Sequence, residues 1–372
     1  MTLPPQEAAT DPAASTGPAP GEDVAGPAVT PEAVGTTTVS AGPTAVSVVM
    51  PVRNESRHLE AAVRRVLDQD CPGPLEVIIA VGPSQDDTRE IAERLATADE
   101  RVRLVDNPTG RTPAGLNRAI AAARHGIIVR VDGHGELGDG YIATAVETLA
   151  RTGAANVGGI MDAQGRTPFE QAVAVAYTSR LGLGGSTFHL RTSTEGPADT
   201  VFLGSFRKSA LEAVGGYDET LHRAQDWELN YRLRQAGELV WFTPAMRVTY
   251  RPRSTYRALA RQFYDTGKWR REVVRRHPDT LNARYLAPPL AVLGVLGGLA
   301  AGGHGSYHKV GWMKLGWLAP IGYLVGVVVG AAALRRELPW QVRIRLPLVF
   351  VIMHMCWGLG FLAGLGDDRP AR

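Results

Sequence analysis

Short apolar runs alternate with amphipathic segments along the chain from Ala45 to about residue 151. The runs are rich in β-branched residues, and the segments between them carry apolar residues at helical spacing. Strands that are covered on both faces have such continuous apolar sequences, so the pattern predicts a parallel, doubly wound α/β sheet. The predicted strands are 45–52, 75–82, 102–107 and 126–133, and the predicted helices are 56–70, one from Asp87, one from Thr112 and one over about 139–151.

Two of these helices have recognisable start signals. The segment Asp87–Thr88–Arg89–Glu90 predicts a capping box at the start of the second helix. Thr112 followed by Pro113 predicts an N-cap threonine with proline at the first helical position.

The alternation becomes irregular after residue 155. Residues 182–199 are rich in glycine and polar residues, which leaves two interpretations open: an ordered loop that shapes a substrate site, or a disordered insertion. Strand, helix and turn return over 201–219, a helix follows at 226–236, and 239–250 is apolar again.

Three long apolar stretches occupy the last part of the chain. Residues 286–303, about 313–334 and 346–366 are nearly free of charge and rich in glycine. About 20 apolar residues cross the hydrocarbon core of a membrane, so we expect three transmembrane helices. The first is the weakest candidate because Pro288 and Pro289 lie near its start. Buried core helices are the alternative.

Arginine clusters predict the orientation of these helices. One cluster precedes the first span and another lies between the second and third, whereas the loop between the first two spans contains only Lys309. Basic loops stay on the cytoplasmic side, so we expect the preceding domain to lie in the cytoplasm and the residues after Leu365 outside. The two clusters are Arg270, Arg271, Arg275 and Arg276, and Arg335, Arg336, Arg343 and Arg345.

Composition narrows the function further. The formal net charge of +3 is too small to indicate a nucleic-acid partner, and the two cysteines, Cys71 and Cys356, predict neither a disulfide framework nor a cysteine metal site. Residues 1–44 are rich in Pro, Ala, Thr and Gly, which predicts a disordered tail, with a partner-binding arm as the alternative. The N-terminus lacks the pattern of a secretory signal.

Polar residues follow each of the four predicted strands. Pro51, Arg53 and Glu55 lie where a nucleotide base or ribose would bind, and Asp86 belongs to the turn after the second strand. Arg111 brings a cation and a helix N-terminus to the same edge, which favours anionic groups.

The fourth strand is followed by Asp132 and His134. Side chains two apart in an extended segment point the same way, so both could bind one divalent cation against a diphosphate. Ordinary turn chemistry is the alternative for an Asp-Gly-His segment.

Over about residues 45–270 the chain resembles the glycosyltransferase family 2 proteins, which have the GT-A fold. The resemblance rests on the order of several motifs, and it is strongest to the succinoglycan-type glucosyltransferase branch. It implies a nucleotide-sugar donor, an Mg²⁺ or Mn²⁺ ion and inversion at the anomeric carbon. The motifs are PVRNE, the SxDDT turn, NPTGRTPAGLN, VDGH, VGGYDE and the QDWE segment.

The resemblance also implies residue roles. Pro51 and Glu55 match nucleotide contacts of the first strand, and Arg111 matches a basic position near the donor. Asp132 matches the first aspartate of the metal motif, and His134 takes the place of the last. Asp226 matches the catalytic base.

Chemistry offers two candidates for that base, Asp226 and Glu228, because displacement at the anomeric carbon needs a carboxylate on the acceptor side. Residues two apart on a helix point away from each other, so one pocket can contain only one of them. We favour Asp226, with helix capping as the alternative role.

The chain departs from the family at two places. Val81–Gly82–Pro83 stands where most relatives have Asp-Asp-Gly, so the usual base-reading carboxylate is missing and the nucleotide is not predicted. The Gln-x-x-Arg-Trp signature of processive synthases is also absent, which favours transfer of a single sugar.

Residues 253–284 are strongly basic and contain Phe263, Tyr264 and Trp269. A basic, aromatic helix next to a membrane span predicts an interfacial helix on anionic headgroups, with a solvated helical face as the alternative.

Together these features predict four regions: a disordered tail (1–44), a GT-A catalytic domain (45–252), a basic interfacial region (253–284) and three transmembrane helices (285–372). The predicted enzyme is an inverting, metal-dependent hexosyltransferase that uses a lipid-linked or glycan acceptor in cell-envelope or exopolysaccharide synthesis. The alternatives are a processive polysaccharide synthase and a non-catalytic membrane scaffold with the same fold.

Overall fold

Apolar strands and amphipathic helices alternate in the computed structural model of the protein, as the sequence pattern predicts. The structure describes residues 44–183, 187–190, 192–221, 223–334 and 337–364. The predicted disordered tail lies outside these residues except for Thr44, as do parts of the 182–199 loop and the arginines at 335 and 336.

The first half of the chain contains four strand–helix units and a short extra strand. In order, its elements are β1 (Val46–Val52), α1 (Leu59–Leu67), β2 (Leu75–Val81), α2 (Thr88–Ala98), β3 (Val102–Asp106), α3 (Thr112–Ala122), β4 (Ile127–Arg130), β5 (Glu136–Leu137) and α4 (Tyr141–Thr152).

The second half completes the sheet and adds the apolar helices. Its elements are β6 (Asn156–Ala163), α5 (Pro168–Tyr177), α6 (Arg180–Leu183), β7 (Gly196–Pro197), β8 (Phe202–Arg207), α7 (Lys208–Ala213), α8 (Gln225–Gln235), β9 (Val240–Tyr250), α9 (Tyr256–Arg276), α10 (Ala283–Tyr307), α11 (Leu318–Ala333), α12 (Trp340–Arg343) and α13 (Leu346–Ala363).

Within the described residues the strands form one mixed sheet. Its order is β3-β2-β1-β4-β8-β6-β9-β5, and β7 pairs with β9. The first four strands in this order are parallel, so their carboxyl ends lie at one edge. β8 runs antiparallel to β4 and to β6, and it carries the sheet into the second half.

Alternate residues of β1 pack into two apolar layers, one on each face of the sheet. Val48 and Met50 face α1, α2 and α4, whereas Val49 faces α3, α7 and α8. All three side chains are fully buried. Complete burial of one such side chain stabilises a fold by roughly 1.5–3 kcal/mol, so these two layers fix the strands whose ends carry the polar residues.

Among the described residues, three helical segments are long and apolar enough to cross a membrane, which confirms the predicted apolar helices. They are Ala283–Tyr307, Trp312–Ala333 and Trp340–Ala363. Their side chains remain largely exposed, as Leu290 on α10 and Val329 on α11 illustrate, both at 61%. Side chains of this type that stay unburied within the protein are suited to lipid contact.

The basic helix α9 packs directly against α13 through glycines. A Cβ atom added at Gly267 would lie 2.0 Å from the carbonyl oxygen of Trp357, and one at Gly360 would lie 2.0 Å from that of Tyr264. Only residues without a Cβ allow two helix backbones to approach so closely. The helix predicted to lie on headgroups therefore has one face on the third apolar segment, and its interfacial role stays a prediction.

Three local predictions are corrected by the structure. Asp87 makes no side-chain cap bond, so the predicted capping box of α2 is wrong. α3 starts one residue early, with Arg111 at the N-cap position. β4 ends at Arg130, so Asp132 and His134 lie in a turn that is closed by a 2.7 Å bond from Gly135 N to Asp132 O, and the extended segment predicted for them is absent.

Candidate active site

A cavity of about 1060 Å³ begins at the carboxyl ends of β1 and β4 and continues to α10 and α13. Six of the residues predicted to form the site line it, whereas Asp86 and Arg111 do not. Asn107, Gly110 and Thr112, which surround Arg111, do line it. The six residues are Pro51, Arg53, Glu55, Asp132, His134 and Asp226.

The loop after β1 is held by the loop after β2. Asn54 has a left-handed backbone (φ 57°), its N–H donates to Ser84 Oγ (3.1 Å), and its Oδ1 accepts from Gln85 N (2.8 Å). Asparagine tolerates this conformation better than most residues. The Glu55 N–H donates to Thr88 Oγ1 at 2.7 Å. These bonds fix Arg53 and Glu55 at the cavity wall.

Asp86 supports this loop from behind. Its carboxylate accepts bonds from the Thr88 hydroxyl (2.5 Å), Thr88 N (3.2 Å) and Ser56 N (3.1 Å). Hydrogen bonds to the charged form, led by that of the Thr88 hydroxyl, lower the pKa of Asp86 to about 2. Asp86 therefore stabilises the loop after β1 and does not line the cavity.

Arg130, which the sequence reasoning missed, joins the two predicted active-site aspartates. Its Nη2 and Nε lie 3.1 and 3.3 Å from Asp132 Oδ1, and its Nη1 donates to Asp226 Oδ1. Arg130 is only 4% exposed, and the two carboxylates are 30% and 31% exposed. A charged residue in an otherwise apolar strand, two positions before Asp132, was the available signal, since a buried charge is almost always paired.

These contacts set the charges in the site. Burial raises the pKa of Asp226, Arg130 opposes this, and Asp132 adds to it, so the pKa of Asp226 lies above the ordinary range of an aspartate. Burial alone would lower the pKa of Arg130, but the two carboxylates outweigh burial and raise it. Arg130 thus stays cationic between two acidic groups.

His134 pairs with Glu55, which follows the neighbouring strand β1. The two side chains meet at 2.8 Å between Nδ1 and Oε1. This bond is the main reason why the pKa of His134 is raised, burial lowers it, and Asp132 adds a further upward contribution. His134 therefore joins the loop after β4 to the loop after β1.

Asp226 is the second residue of α8, and its carboxylate accepts a bond from Arg130. The N-cap position belongs to Ala224, and no side-chain cap bond is made there, so Asp226 is not the N-cap residue. Ala224 has φ 61°, a left-handed conformation that costs about 1–2 kcal/mol in residues other than glycine. Glu228 is buried elsewhere, against Arg232 at 2.6 Å, so only one of the two candidate bases reaches the cavity.

Two glycines, Gly82 and Gly110, meet where the loops after β2 and β3 come together. A Cβ atom at Gly82 would lie 3.0 Å from the Cα of Gly110 and 3.2 Å from the carbonyl oxygen of Val52. A longer side chain would meet backbone there. The loops after β2 and β3 therefore pack directly on each other in this chain.

The far end of the cavity has a different character. Arg270 of α9 lies between two aromatic rings, with its guanidinium carbon 4.3 Å from the ring centre of Trp227 and 4.2 Å from that of Tyr285. Apolar residues of α10 and α13 line the cavity beside it. The sequence placed Arg270 in the predicted interfacial helix and in the arginine cluster that predicts orientation, not in the site.

Comparisons with known proteins identify the family of this chain. Residues 47–215 match the model of the family "Glycosyl transferase family 2". Succinoglycan biosynthesis protein ExoA of Rhizobium meliloti (strain 1021) is 35% identical over 331 residues, 87% of this chain and 95% of the relative. Glycosyltransferase AglD of Haloferax volcanii is 43% identical over 93 residues, 23% of this chain and 15% of the relative.

Among solved structures, mannosyltransferase PcManGT from Pyrobaculum calidifontis, in complex with GDP-Man and Mn²⁺, has a TM-score of 0.54. It is 18% identical, with 87% of this chain and 88% of that chain covered, so this likeness concerns the fold. The identity to ExoA over most of both chains, together with the family match and the GT-A fold, shows that this chain belongs to glycosyltransferase family 2.

Proposed function

We propose that this chain is an inverting, metal-dependent hexosyltransferase that transfers a single sugar from a nucleoside-diphosphate donor to a lipid-linked or glycan acceptor. The observation that carries this proposal is the Asp132–Arg130–Asp226 group in the wall of one large cavity at the strand ends. It offers one carboxylate toward the donor side and another toward the acceptor side, which is what a direct displacement requires.

Asp226 is the proposed proton acceptor. Burial raises the pKa of Asp226, which makes its carboxylate a stronger proton acceptor, and Arg130 beside it opposes the rise and favours the ionised form. An acceptor hydroxyl next to Asp226 would attack the anomeric carbon from the face opposite the diphosphate, which inverts its configuration.

The donor side fits a divalent cation only when the donor itself supplies ligands. In the part of the chain that the structure describes, no group of three or more His, Cys, Asp and Glu could hold a metal alone. Asp132 and His134 line the cavity together, and Mg²⁺ commonly takes one or two protein ligands and completes its shell with phosphate oxygens and water. Asp132 and His134 would hold Mg²⁺ or Mn²⁺, which would supply Lewis-acid stabilisation of the leaving diphosphate.

Three cavity residues would bind the rest of the donor. Pro51, Arg53 and Glu55 are fixed on the wall next to Asp132, where a nucleotide would lie in a sheet of this kind. Asp86 would act through the loop that it holds, and Arg111 through the N-terminus of α3. The likeness to ExoA supports exopolysaccharide synthesis as the process, and the lack of a Gln-x-x-Arg-Trp signature supports transfer of one sugar.

Nucleotide release from a panel of nucleotide sugars tests the donor and metal assignments. The purified full-length chain with Mn²⁺ or Mg²⁺ is expected to release nucleoside diphosphate from at least one donor, and EDTA should abolish the release. Asp132→Ala should lower it by about a hundredfold or more, since several kcal/mol of charge stabilisation are lost. Release that persists in EDTA and in Asp132→Ala would refute the metal assignment.

Asp106→Ala is the matched control. Asp106 ends β3 at the same edge of the sheet, is 72% exposed and pairs with Arg89 outside the cavity. Its removal should leave nucleotide release unchanged. A long polymer made by the purified protein would instead favour a processive synthase, and a chain that releases nucleotide from no donor with either metal would favour a scaffold.

The catalytic domain is proposed to lie in the cytoplasm, with the chain anchored in the cell membrane. The arginines before the first apolar helix and near the start of the third support this orientation. Protease added to inside-out vesicles should then cleave residues 45–252, and protection of this domain in such vesicles would contradict the orientation.

A further inference from the structure

Three residues that line the cavity each carry a buried polar atom with no hydrogen-bond partner among the described residues. Arg270 Nη1, Gln262 Oε1 and His189 Nδ1 are each buried, and all three residues line the cavity. Buried polar atoms normally find a partner, because an unsatisfied one costs about 1–3 kcal/mol. Three such atoms in one cavity indicate a ligand that satisfies them.

Of the three, Arg270 has the largest free-energy cost of remaining without a hydrogen-bond partner, because it carries a full charge. The rings of Trp227 and Tyr285 hold its guanidinium on both faces. Burial, together with the nearby positive charge of Arg284, lowers the pKa of Arg270 to about 10, although Tyr285 opposes this, and the group remains charged at neutral pH. A sandwiched planar cation exposes only its edge, which suits an anion with paired oxygens.

The cavity beside Arg270 is apolar and belongs to the helices that could span a membrane. Ala287, Pro288 and Ala291 of α10 line it together with Met353 and Trp357 of α13. Trp227 directly follows the proposed base, Asp226, so the cation lies between the acidic end of the cavity and its apolar end. A ligand that fills this half needs an anionic group followed by a long apolar chain.

We propose that Arg270 is the anion-binding residue of the acceptor site, and that it binds the phosphate or diphosphate of an acceptor whose apolar chain lies along the cavity-lining residues of α10 and α13. This inference rests on the proposed function, and it narrows the acceptor to the lipid-linked class. Arg284, which donates to Tyr285 Oη at 2.6 Å, keeps one of the two rings in place.

Direct binding to the full-length protein in detergent micelles tests the proposal without requiring transfer. The probes are a long-chain polyprenyl phosphate, the polyprenol of the same length, and inorganic pyrophosphate. The wild-type protein should bind the polyprenyl phosphate at least about tenfold more tightly than either of the other two, since each of these lacks one of the two recognised parts.

Arg270→Met keeps the apolar stem between the rings and removes the charge. It should weaken binding of the polyprenyl phosphate by about 10–100-fold, as expected for loss of a charge-assisted bond, and leave polyprenol binding unchanged. Arg271→Met is the matched control, because Arg271 is adjacent on α9, contacts the Phe361 ring (5.6 Å) and does not line the cavity. Equal binding of the lipid phosphate by Arg270→Met and wild type would overturn the proposal.

A second variant leaves the cation intact and fills the apolar half. Ala291→Trp should weaken binding of the polyprenyl phosphate and leave pyrophosphate binding unchanged, which keeps the test decisive if Arg270→Met does not fold. Pyrophosphate that binds as tightly as the lipid phosphate would show a site for free phosphate and refute the lipid part.

Nucleotide release by the same preparations distinguishes a failure of the acceptor site from a failure of the proposed function. Loss of lipid-phosphate binding with intact nucleotide release refutes only the acceptor site. Absence of nucleotide release from every donor in the wild-type protein refutes the proposed function and leaves the binding result standing.

Discussion

The two ends of the cavity differ in how their charges are satisfied. At the sheet end, Arg130 contacts both Asp132 and Asp226, and Glu55 contacts His134, so these five side chains have partners within the protein. At the membrane-helix end, Arg270 lies between two rings, and its Nη1 has no hydrogen-bond partner among the described residues.

This difference shows which half is preorganised. Paired charges hold the carboxylates in a fixed geometry before any ligand arrives, and such preorganisation is the main source of electrostatic catalysis. Burial of the Arg270 cation without a hydrogen-bond partner, in contrast, costs free energy that binding of an anion would offset. Chemistry should therefore depend most on the sheet end, and acceptor binding on the other.

Asp226→Asn should produce the largest effect, because the amide cannot accept the proton. We expect kcat to fall by about 10²–10⁴-fold with little change in the KM for the donor. Steady-state transfer kinetics of the purified protein measure both parameters. The amide has nearly the same volume, so a loss of activity is not a packing effect.

Asp106→Asn provides the control at the same edge of the sheet and should keep wild-type rates. If Asp226→Asn retains full kcat, the base assignment is wrong and the contrast between the two cavity ends disappears. An effect on donor KM alone would place Asp226 in donor binding.

Arg130→Met should have the next largest effect. Burial and Asp132 raise the pKa of Asp226, and Arg130 lowers it, so removal of the cation raises it further. A base must be ionised, so kcat falls as the pH drops through this pKa, and the variant should lose activity at a higher pH than wild type. Displacement of both carboxylates should also cost about a hundredfold in kcat at the optimum.

The kcat–pH profile distinguishes this role from a purely structural one. A structural defect lowers the whole curve without moving its acid limb, whereas the charge effect moves the limb to higher pH. Arg130→Lys retains a cation and should restore the limb in part. An unchanged limb in Arg130→Met would show that Arg130 does not control the ionisation of Asp226.

Sequence patterns predicted the strand ends better than the contacts between them. The apolar periods located β1 to β4 and hence the edge that carries Pro51, Glu55 and Asp132, because parallel strands end together. The partner of each charge depended on distant segments, as with Arg130 and Asp226, which are 96 positions apart. The periodicity of a short segment carries no information about a contact between residues so far apart in the sequence.

Local rules failed where tertiary bonds competed with them. The capping box predicted at Asp87 is absent, because the first turn of α2 is instead held by Asp86, whose carboxylate also binds the loop after β1. In the sequence, Arg270 is one of many basic residues on a predicted helix. In the structure, it differs from the exposed Arg261 on the same helix because Trp227 and Tyr285, which come from other segments, contact its guanidinium.

Gly267→Ala should produce the smallest effect on catalysis and the clearest one on the seam between α9 and α13. The added methyl group would lie 2.0 Å from the Trp357 carbonyl oxygen, so the two helices must separate, which costs about 1–3 kcal/mol. Arg270 lies three residues further along α9, so this shift should weaken polyprenyl phosphate binding and leave nucleotide release unchanged. Thermal unfolding in detergent and the two assays measure this.

Gly294→Ala is the control, because a Cβ atom there meets nothing within 4 Å and alanine favours a helix over glycine by about 1 kcal/mol. It should match or exceed wild-type stability. If Gly267→Ala weakens nucleotide release as much as lipid binding, the two cavity ends respond as one rigid unit. The proposed difference between the sheet end and the membrane-helix end would then be wrong. If it changes neither, α9 tolerates separation from α13, and the seam does not position Arg270.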